Sequence, residues 1–142
     1  MEFSQFTDYT LRVLIYLASK EEGLSSIKEI ADAYNISNNH LVKVVHNLAK
    51  MEIIHTYRGR GGGIALAKEP EELVIGKLIR STENLAILEC FPGGKGTCCI
   101  AGVCELKSKL QIAFEKFLQE LDSLTLADVV TNRTALRGCL SL

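Results

Sequence analysis

Three cysteines in a glycine-rich stretch are the residues of this chain whose types and spacing are best suited to chemistry. Cys90, Cys98 and Cys104 are separated by seven and by five residues, with several glycines between them. Glycine lets a backbone fold tightly, and thiolates are soft ligands for metals. The stretch therefore predicts a loop that folds around a small inorganic group.

The spacing of these thiols favours one kind of group over another. A zinc site of the finger or ribbon type needs paired Cys-x2-Cys ligands or a nearby histidine, and this stretch has neither. The three histidines, His40, His46 and His55, all precede it. An iron–sulfur cluster spans more space than one ion and takes widely spaced thiolates, so it fits better. Three thiolates leave one ligand unassigned.

The remaining cysteines have simpler interpretations. Cys99 follows Cys98 directly, so the two side chains diverge and we expect Cys99 to pack as a small hydrophobe beside Ile100. Cys139 is expected to be a core or incidental residue. Cys104 falls at the predicted start of a long helix, where the helix dipole favours a thiolate and an anionic cluster.

Length and composition limit the class of protein. With 142 residues, 47% of them hydrophobic, the chain suits one compact domain or a small domain with a dimerisation arm. The first residues lack the pattern of a signal peptide, and no stretch approaches the roughly 20 apolar residues of a membrane span. We therefore expect a cytoplasmic protein without a membrane partner, in which five cysteines indicate metal binding, redox chemistry or packing rather than disulfides.

Charge is unevenly distributed along the chain. The formal net charge is −1, yet residues 37–68 carry five lysines and arginines against Glu52 alone. A local basic face on a near-neutral protein suits nucleic acid, with a solvated charged surface as the alternative.

The elements around this basic stretch predict a helix-turn-helix. Apolar residues over 7–18 predict a first helix, which Thr7 or Asp8 could cap. Ser26 and Glu29 have the spacing of a capping box and predict the start of a second helix.

A third helix and a hairpin complete the pattern. Ser37 is the expected N-cap of a helix that runs to Lys50, with an apolar stripe formed by Leu41, Val44, Val45 and Leu48. Residues 53–58 and 64–67 then predict two strands joined by a glycine-rich turn, which is a wing.

Helices are also predicted over 73–80 and 104–121, with a final short helix from Thr125. The expected fold is mainly α with a small β-hairpin wing. We predict a winged helix-turn-helix at 1–80, and a cysteine cluster loop and long C-terminal dimerisation helix at 81–142.

Eight residues are candidates for DNA contact. Asparagines early in a recognition helix can read adenine, lysines contact phosphates, and arginines on a thin wing suit a narrow minor groove. Helix capping by the asparagines and a solvated hairpin are the structural alternatives. The candidates are Ser37, Asn38, Asn39, His40, Lys43, Lys50, Arg58 and Arg60.

Several of these segments together resemble a known family over nearly the full chain. They are residues 6–12, the helix opening at 37–43, the wing at 58–64, and the three cysteines. The chain resembles the iron–sulfur winged-helix repressors that include IscR and NsrR, and the nitric-oxide-sensing branch in particular.

The resemblance implies a ligand set and a function. The fourth ligand would be Asp8 of the partner subunit, because the three-Cys-one-His arrangement lacks its histidine here. Arg12, one helical turn after Asp8, would orient or neutralise that carboxylate. The cluster would be [4Fe–4S], with [2Fe–2S] as the alternative, in a homodimer that represses genes on palindromic operator DNA until nitric oxide reacts with the cluster.

Other functions remain as alternatives. A cluster could sense iron or oxidative stress, or Cys98 or Cys99 could act as a metal-free thiol switch. A thiol enzyme is disfavoured, because the histidines belong to the DNA-binding half and leave a nucleophile without a base. We therefore predict a transcriptional repressor and not an enzyme.

Overall fold

The computed structural model describes residues 2–96 and 98–142, and in this part of the chain the fold is mainly helical. The helices are α1 Gln5–Ser19, α2 Ile27–Tyr34, α3 Asn38–Lys50, α4 Ile75–Thr82, α5 Glu105–Asp122, α6 Leu126–Val129 and α7 Arg133–Leu140. The strands β1 Ile54–Tyr57 and β2 Gly63–Leu66 form an antiparallel hairpin, and Pro70–Glu72 is a 3₁₀ turn. The predicted mainly α winged helix-turn-helix is confirmed. No helix among the described residues is long and apolar enough to cross a membrane.

The first helix lies in the centre of the core and begins earlier than predicted. Ser4 is its N-cap, and the Ser4 hydroxyl accepts a hydrogen bond from the backbone N–H of Thr7 at 3.3 Å. The prediction that Thr7 or Asp8 caps this helix was wrong. Thr7 is buried within the first turn, where its hydroxyl donates to Thr82 Oγ1 at 2.7 Å. Burial of α1 on several sides explains why nearly every one of its residues from Val13 to Ser19 is shielded from solvent.

The helix-turn-helix forms as the sequence predicts. Ser26 and Glu29 make the reciprocal capping box of α2, and that helix ends at Asn35, whose φ of 52° is left-handed. Ser37 precedes α3 as expected but makes no side-chain cap bond. The predicted apolar stripe of α3 is buried against α1 and α2; its members are Leu41, Val44, Val45 and Leu48.

The wing is attached to the start of the second helix. The Ser25 backbone N–H donates to the Ile64 carbonyl at 3.0 Å, and the Ile64 N–H returns a bond to Ser25 at 2.8 Å. Gly63 permits this close approach, because a Cβ there would press on the Ser25 carbonyl and the Leu24 side chain. The hairpin is therefore held in a fixed relation to the helix-turn-helix.

The chain returns to the core after the long helix. The Ile75 N–H donates to the Leu124 carbonyl and the Leu126 N–H donates to the Leu73 carbonyl, both at 2.8 Å. Thr125 caps α6 as predicted, whereas the separate helix α7 was not predicted. Both helices pack on α1, and the core includes Leu126, Val130 and Leu140.

Candidate DNA-contact surface and cysteine loop

The exposed sides of α3 and the wing carry the polar and basic residues that the sequence predicts to contact DNA, and we call this set of residues the DNA-contact surface. It contains the eight candidate residues Ser37, Asn38, Asn39, His40, Lys43, Lys50, Arg58 and Arg60, all of them exposed. Within the described ranges, no carboxylate forms an ion pair with the two lysines or the two arginines of this set. Their positive charges are therefore free to attract phosphates.

The wing presents its arginines on a thin turn. Glycine is required at Gly62, because a Cβ there would collide with the Tyr57 carbonyl oxygen. On β1 the rings of His55 and Tyr57 meet edge to face, with centroids 6.3 Å apart, and Tyr57 stays 51% exposed. A narrow hairpin that ends in Arg58 and Arg60 has a shape that can enter a minor groove.

The first two turns of α1 hold Asp8 in an ion pair. Arg12 Nη2 lies 2.9 Å from Asp8 Oδ2, and Arg12 Nε donates to Asp8 Oδ1 at 3.1 Å. The hydrogen bond to Asp8 raises the pKa of Arg12, although burial opposes it. Arg12 also lies 5.7 Å from the centre of the Tyr34 ring, and burial raises the pKa of Tyr34 to about 12. Asp8 thus has a fixed orientation while its carboxylate remains 44% exposed.

The chain between α4 and α5, residues 83–104, is the cysteine loop, and its described residues 83–96 and 98–104 include several short turns. The Phe91 N–H donates to the Leu88 carbonyl at 3.0 Å, and the Gly96 N–H donates to the Glu89 carbonyl at 2.7 Å. The Phe91 side chain is buried, with 6% of its surface exposed. Gly94 passes so close to the Glu89 carbonyl that no side chain fits there.

The thiols of this loop are free and differ in exposure. Cys90 and Cys104 are half-buried, whereas Cys98 and Cys99 are exposed. Cys104 is the N-cap of α5, as the sequence predicted, and its Sγ accepts a hydrogen bond from the Lys107 N–H at 3.4 Å. The sulfur therefore lies against the positive end of the helix dipole, a position suited to an anionic ligand group.

The cysteines do not converge within one chain. Across residues 2–96 and 98–142, no three His, Cys, Asp or Glu side chains lie close enough together to hold a metal ion. The donor chemistry nevertheless fits an iron–sulfur cluster, because the loop offers free soft thiols and one of them lies at a helix N-terminus.

Comparison with known proteins identifies the family. Residues 3–132 match the model of the Rrf2 family, described as iron-dependent transcriptional regulators. This chain belongs to the Rrf2 family. This chain is 47% identical over 142 residues to the HTH-type transcriptional regulator NsrR of Shouchella clausii. The alignment covers 99% of this chain and 95% of that protein.

Solved structures share the fold of the Rrf2 chain. CymR, the global cysteine regulator of B. subtilis, is 30% identical with a TM-score of 0.70, covering 92% of this chain and 97% of that one. T. potens IscR is 27% identical with a TM-score of 0.74, and the match covers 93% of this chain and 88% of that one. The Rrf2 chain is a DNA-binding transcriptional regulator and not an enzyme.

The prediction that Cys99 packs as a small hydrophobe was wrong. Cys99 is exposed and its neighbour Ile100 is 54% exposed, so the pair does not pack as an apolar cluster. Phe91 is the buried hydrophobic residue in the described part of the cysteine loop. Cys139, predicted to be a core or an incidental residue, is exposed on α7, whose buried side chain is Leu140, so the core interpretation does not hold and the incidental one does.

Sequence reasoning missed the contact that joins α1 of the Rrf2 chain to the cysteine loop. The Ser4 backbone N–H and hydroxyl donate to Glu83 Oε1 at 2.6 and 2.8 Å. Burial works against ionisation, but the hydrogen bonds from Ser4 hold the pKa of Glu83 below its ordinary value. The two partners are 79 residues apart in the chain, so no local pattern signals the contact.

Proposed function

We propose that this Rrf2 protein is a repressor whose affinity for operator DNA is controlled by an iron–sulfur cluster that senses nitric oxide. The observation that carries the proposal is the free thiol of Cys104 at the N-terminus of α5, at the end of a loop that also contains Cys90 and Cys98. The relatives named NsrR, 47% identical over nearly the full chain, support nitric oxide as the signal.

The cluster would be held by Cys90, Cys98 and Cys104 of one subunit and by Asp8 of the partner subunit. A bound cluster, which we assign as [4Fe–4S] rather than [2Fe–2S], supplies iron that reacts with nitric oxide. Arg12 fixes the direction of the Asp8 carboxylate through two contacts of about 3 Å. Cys104 would contribute its sulfur from the N-cap position of α5, where it already accepts a hydrogen bond from the Lys107 N–H.

A homodimer would bring Asp8 of one subunit to the cysteine loop of the other. Large apolar side chains are exposed on the loop and on α5, namely Ile100, Val103, Leu106 and Ile112. Exposed apolar surface of this extent is typical of protein–protein contact. Two-fold association on this surface pairs two copies of α3 with the two half-sites of a palindromic operator.

This arrangement assigns a different function to each part of the chain. Residues 1–80 contact DNA through α3 and the wing, and residues 81–142 provide the cysteine loop and the dimerisation helix α5. The packing of α6 and α7 on α1 connects the second part to the first. A change of dimer geometry at the cysteine loop therefore alters the spacing of the two recognition helices.

The proposal is tested with full-length protein purified without oxygen. Ultraviolet-visible spectra are recorded during a nitric oxide titration, while the same sample is assayed for binding to a duplex selected from a random-sequence pool. We expect a broad absorption in the blue region that bleaches as DNA is released. Asp8→Ala should change this spectrum, whereas Asp32→Ala should not. Asp32 is a matched control because it forms a similar i,i+4 ion pair, with Lys28 on α2.

The same experiment separates the rival functions. A coloured protein that ignores nitric oxide but releases DNA on iron depletion or oxidation is an iron or oxidative-stress sensor. A protein that stays colourless after reconstitution with iron and sulfide, yet binds DNA, has no cluster. The exposure of the adjacent Cys98 and Cys99 thiols then favours a thiol switch.

A further inference from the structure

Val42 is an apolar side chain in the middle of the polar DNA-contact surface. Among the described residues that precede the cysteine loop, two large hydrophobic side chains are exposed, Val42 at 45% on α3 and Tyr57 at 51% on the wing. The partly buried apolar residues that pack on the described core do not include Val42. A single exposed valine is common on protein surfaces, so exposure alone does not indicate a function and the position of the valine must be considered.

The position of Val42 on α3 is that of a base-reading residue. With 3.6 residues per turn, Val42 lies one turn after Asn38 and Asn39 and one turn before His46, all of which are exposed. The buried stripe from Leu41 to Leu48 lies on the other side of the helix and holds it on the core. The first turns of a recognition helix are the part that contacts base edges.

The chemistry of a valine in this position selects one base. In the major groove, thymine differs from the other bases by its C5 methyl group, and apolar side chains recognise that group by contact. Val42 has no hydrogen-bonding group in its side chain, so it contributes nothing to the recognition of donors or acceptors. The neighbouring Asn39 and His46 have side chains that can supply those functions.

We infer that Val42 is a specificity-determining residue that packs its methyl groups against the C5 methyl of a thymine in each operator half-site. The inference rests on the proposed placement of α3 in the major groove. It predicts a thymine at one fixed position in each half-site, opposite the second turn of α3. It also predicts that the contribution of Val42 to binding depends on that methyl group.

The test removes the methyl group from the DNA instead of from the protein. A duplex is selected from a random-sequence pool with the full-length protein, reconstituted with iron and sulfide. Each thymine of one half-site is then replaced by deoxyuridine, which retains base pairing and all hydrogen-bonding groups. Dissociation constants are measured for the wild type, for Val42→Ala, and for Val129→Ala as a matched control, since Val129 is another exposed valine, on α6.

We expect one thymine position at which deoxyuridine weakens wild-type binding about fourfold, the effect of one buried methyl group. At that position Val42→Ala should bind both duplexes equally, while Val129→Ala should keep the fourfold difference. Alanine is a better helix former than valine, so Val42→Ala leaves α3 intact.

Two results would overturn the inference alone: equal wild-type affinity for all the substituted duplexes, or a fourfold preference for thymine that persists in Val42→Ala. A wild-type protein that enriches no duplex would overturn the DNA-contact surface itself and this inference with it.

Discussion

At the scale of single residues, Glu83 connects the two parts of the candidate site. Its carboxylate accepts two hydrogen bonds from Ser4 at the start of α1, and α1 carries Asp8 one turn further on. Glu83 is also the first residue of the cysteine loop. The position of Asp8 relative to this loop therefore depends on a contact that is made by an ionised carboxylate.

This contact predicts a pH-dependent contribution to stability. The pKa of Glu83 is lower in the folded than in the unfolded protein, so its stabilising effect is present above the unfolded pKa and is lost as pH falls through the folded pKa. Glu83→Gln, which keeps one acceptor oxygen, should lower the free energy of unfolding by about 1 kcal/mol at neutral pH. The difference from wild type should shrink below about pH 4. Denaturant unfolding over a pH series measures it.

Glu120→Gln on the exposed surface of α5 provides the comparison, with little effect expected at any pH. A difference between wild type and Glu83→Gln that stays constant across the pH series would mean that the charge of Glu83 has no role.

At the scale of elements, the joint between α4 and α5 is the tightest contact in this part of the fold. Gly76 on α4 leaves no room for a Cβ, because Asp122 at the end of α5 lies directly over it. Arg80 binds the Asp122 carboxylate at 2.7 Å, and Glu115 lies 3.6 Å from the same guanidinium. The absence of a side chain at Gly76 allows the two helices to approach.

Gly76→Ala should therefore destabilise the protein by about 1 to 3 kcal/mol, the range of an overpacked contact, as measured by denaturant unfolding. Gly138→Ala on α7 is the matched control, because nothing lies within 4 Å of a Cβ at that position. There the change should stabilise the helix by about 0.5 to 1 kcal/mol. Equal effects of the two substitutions would contradict the close packing at Gly76.

The elements that were predictable from sequence are those whose signals are local. The capping box of Ser26 and Glu29, the apolar stripe of α3 and the glycine-rich wing turn each lie within a few residues, and each formed as predicted. The start of α1 was misplaced because Ser4 has no glutamate or glutamine three residues later. Its partner Glu83 is distant in sequence.

The candidate site was less predictable than the fold. The cysteine types and spacing indicate soft-metal chemistry, and the start of α5 at Cys104 was foreseen. The packing of Cys99 was not, because adjacency to Ile100 says nothing about whether the loop has a core. The burial of Phe91 depends on how the irregular loop folds, which no sequence periodicity reports.

At the scale of the whole molecule, charge is arranged for DNA on a protein of almost zero net charge. The net charge is −1, yet the lysines and arginines of the DNA-contact surface form no ion pair with any carboxylate in the described part of the chain. Lys50, at the C-terminal end of α3, is far from the helix N-terminus that reads bases, so we expect it to contact phosphate.

Lys50→Gln should weaken binding to all duplexes alike and should reduce the slope of log affinity against log salt by about 2 units, one contact from each subunit of the dimer. Dissociation constants measured at several salt concentrations test this. The control is Lys116→Gln on the exposed surface of α5. An unchanged salt slope in Lys50→Gln would exclude a phosphate contact by this lysine.

The joint at Gly76 also makes α5 a lever. Its C-terminal end is fixed to α4, whereas its N-terminal end, which carries Cys104, lies about 27 Å away along 18 helical residues. If α5 tilted by about 5° around the Gly76 contact, its length of about 27 Å means that Cys104 would move by about 2.4 Å. Because Cys104 lies far from the Gly76 contact, a small force on the cysteine end of α5 produces a large torque at the contact with α4.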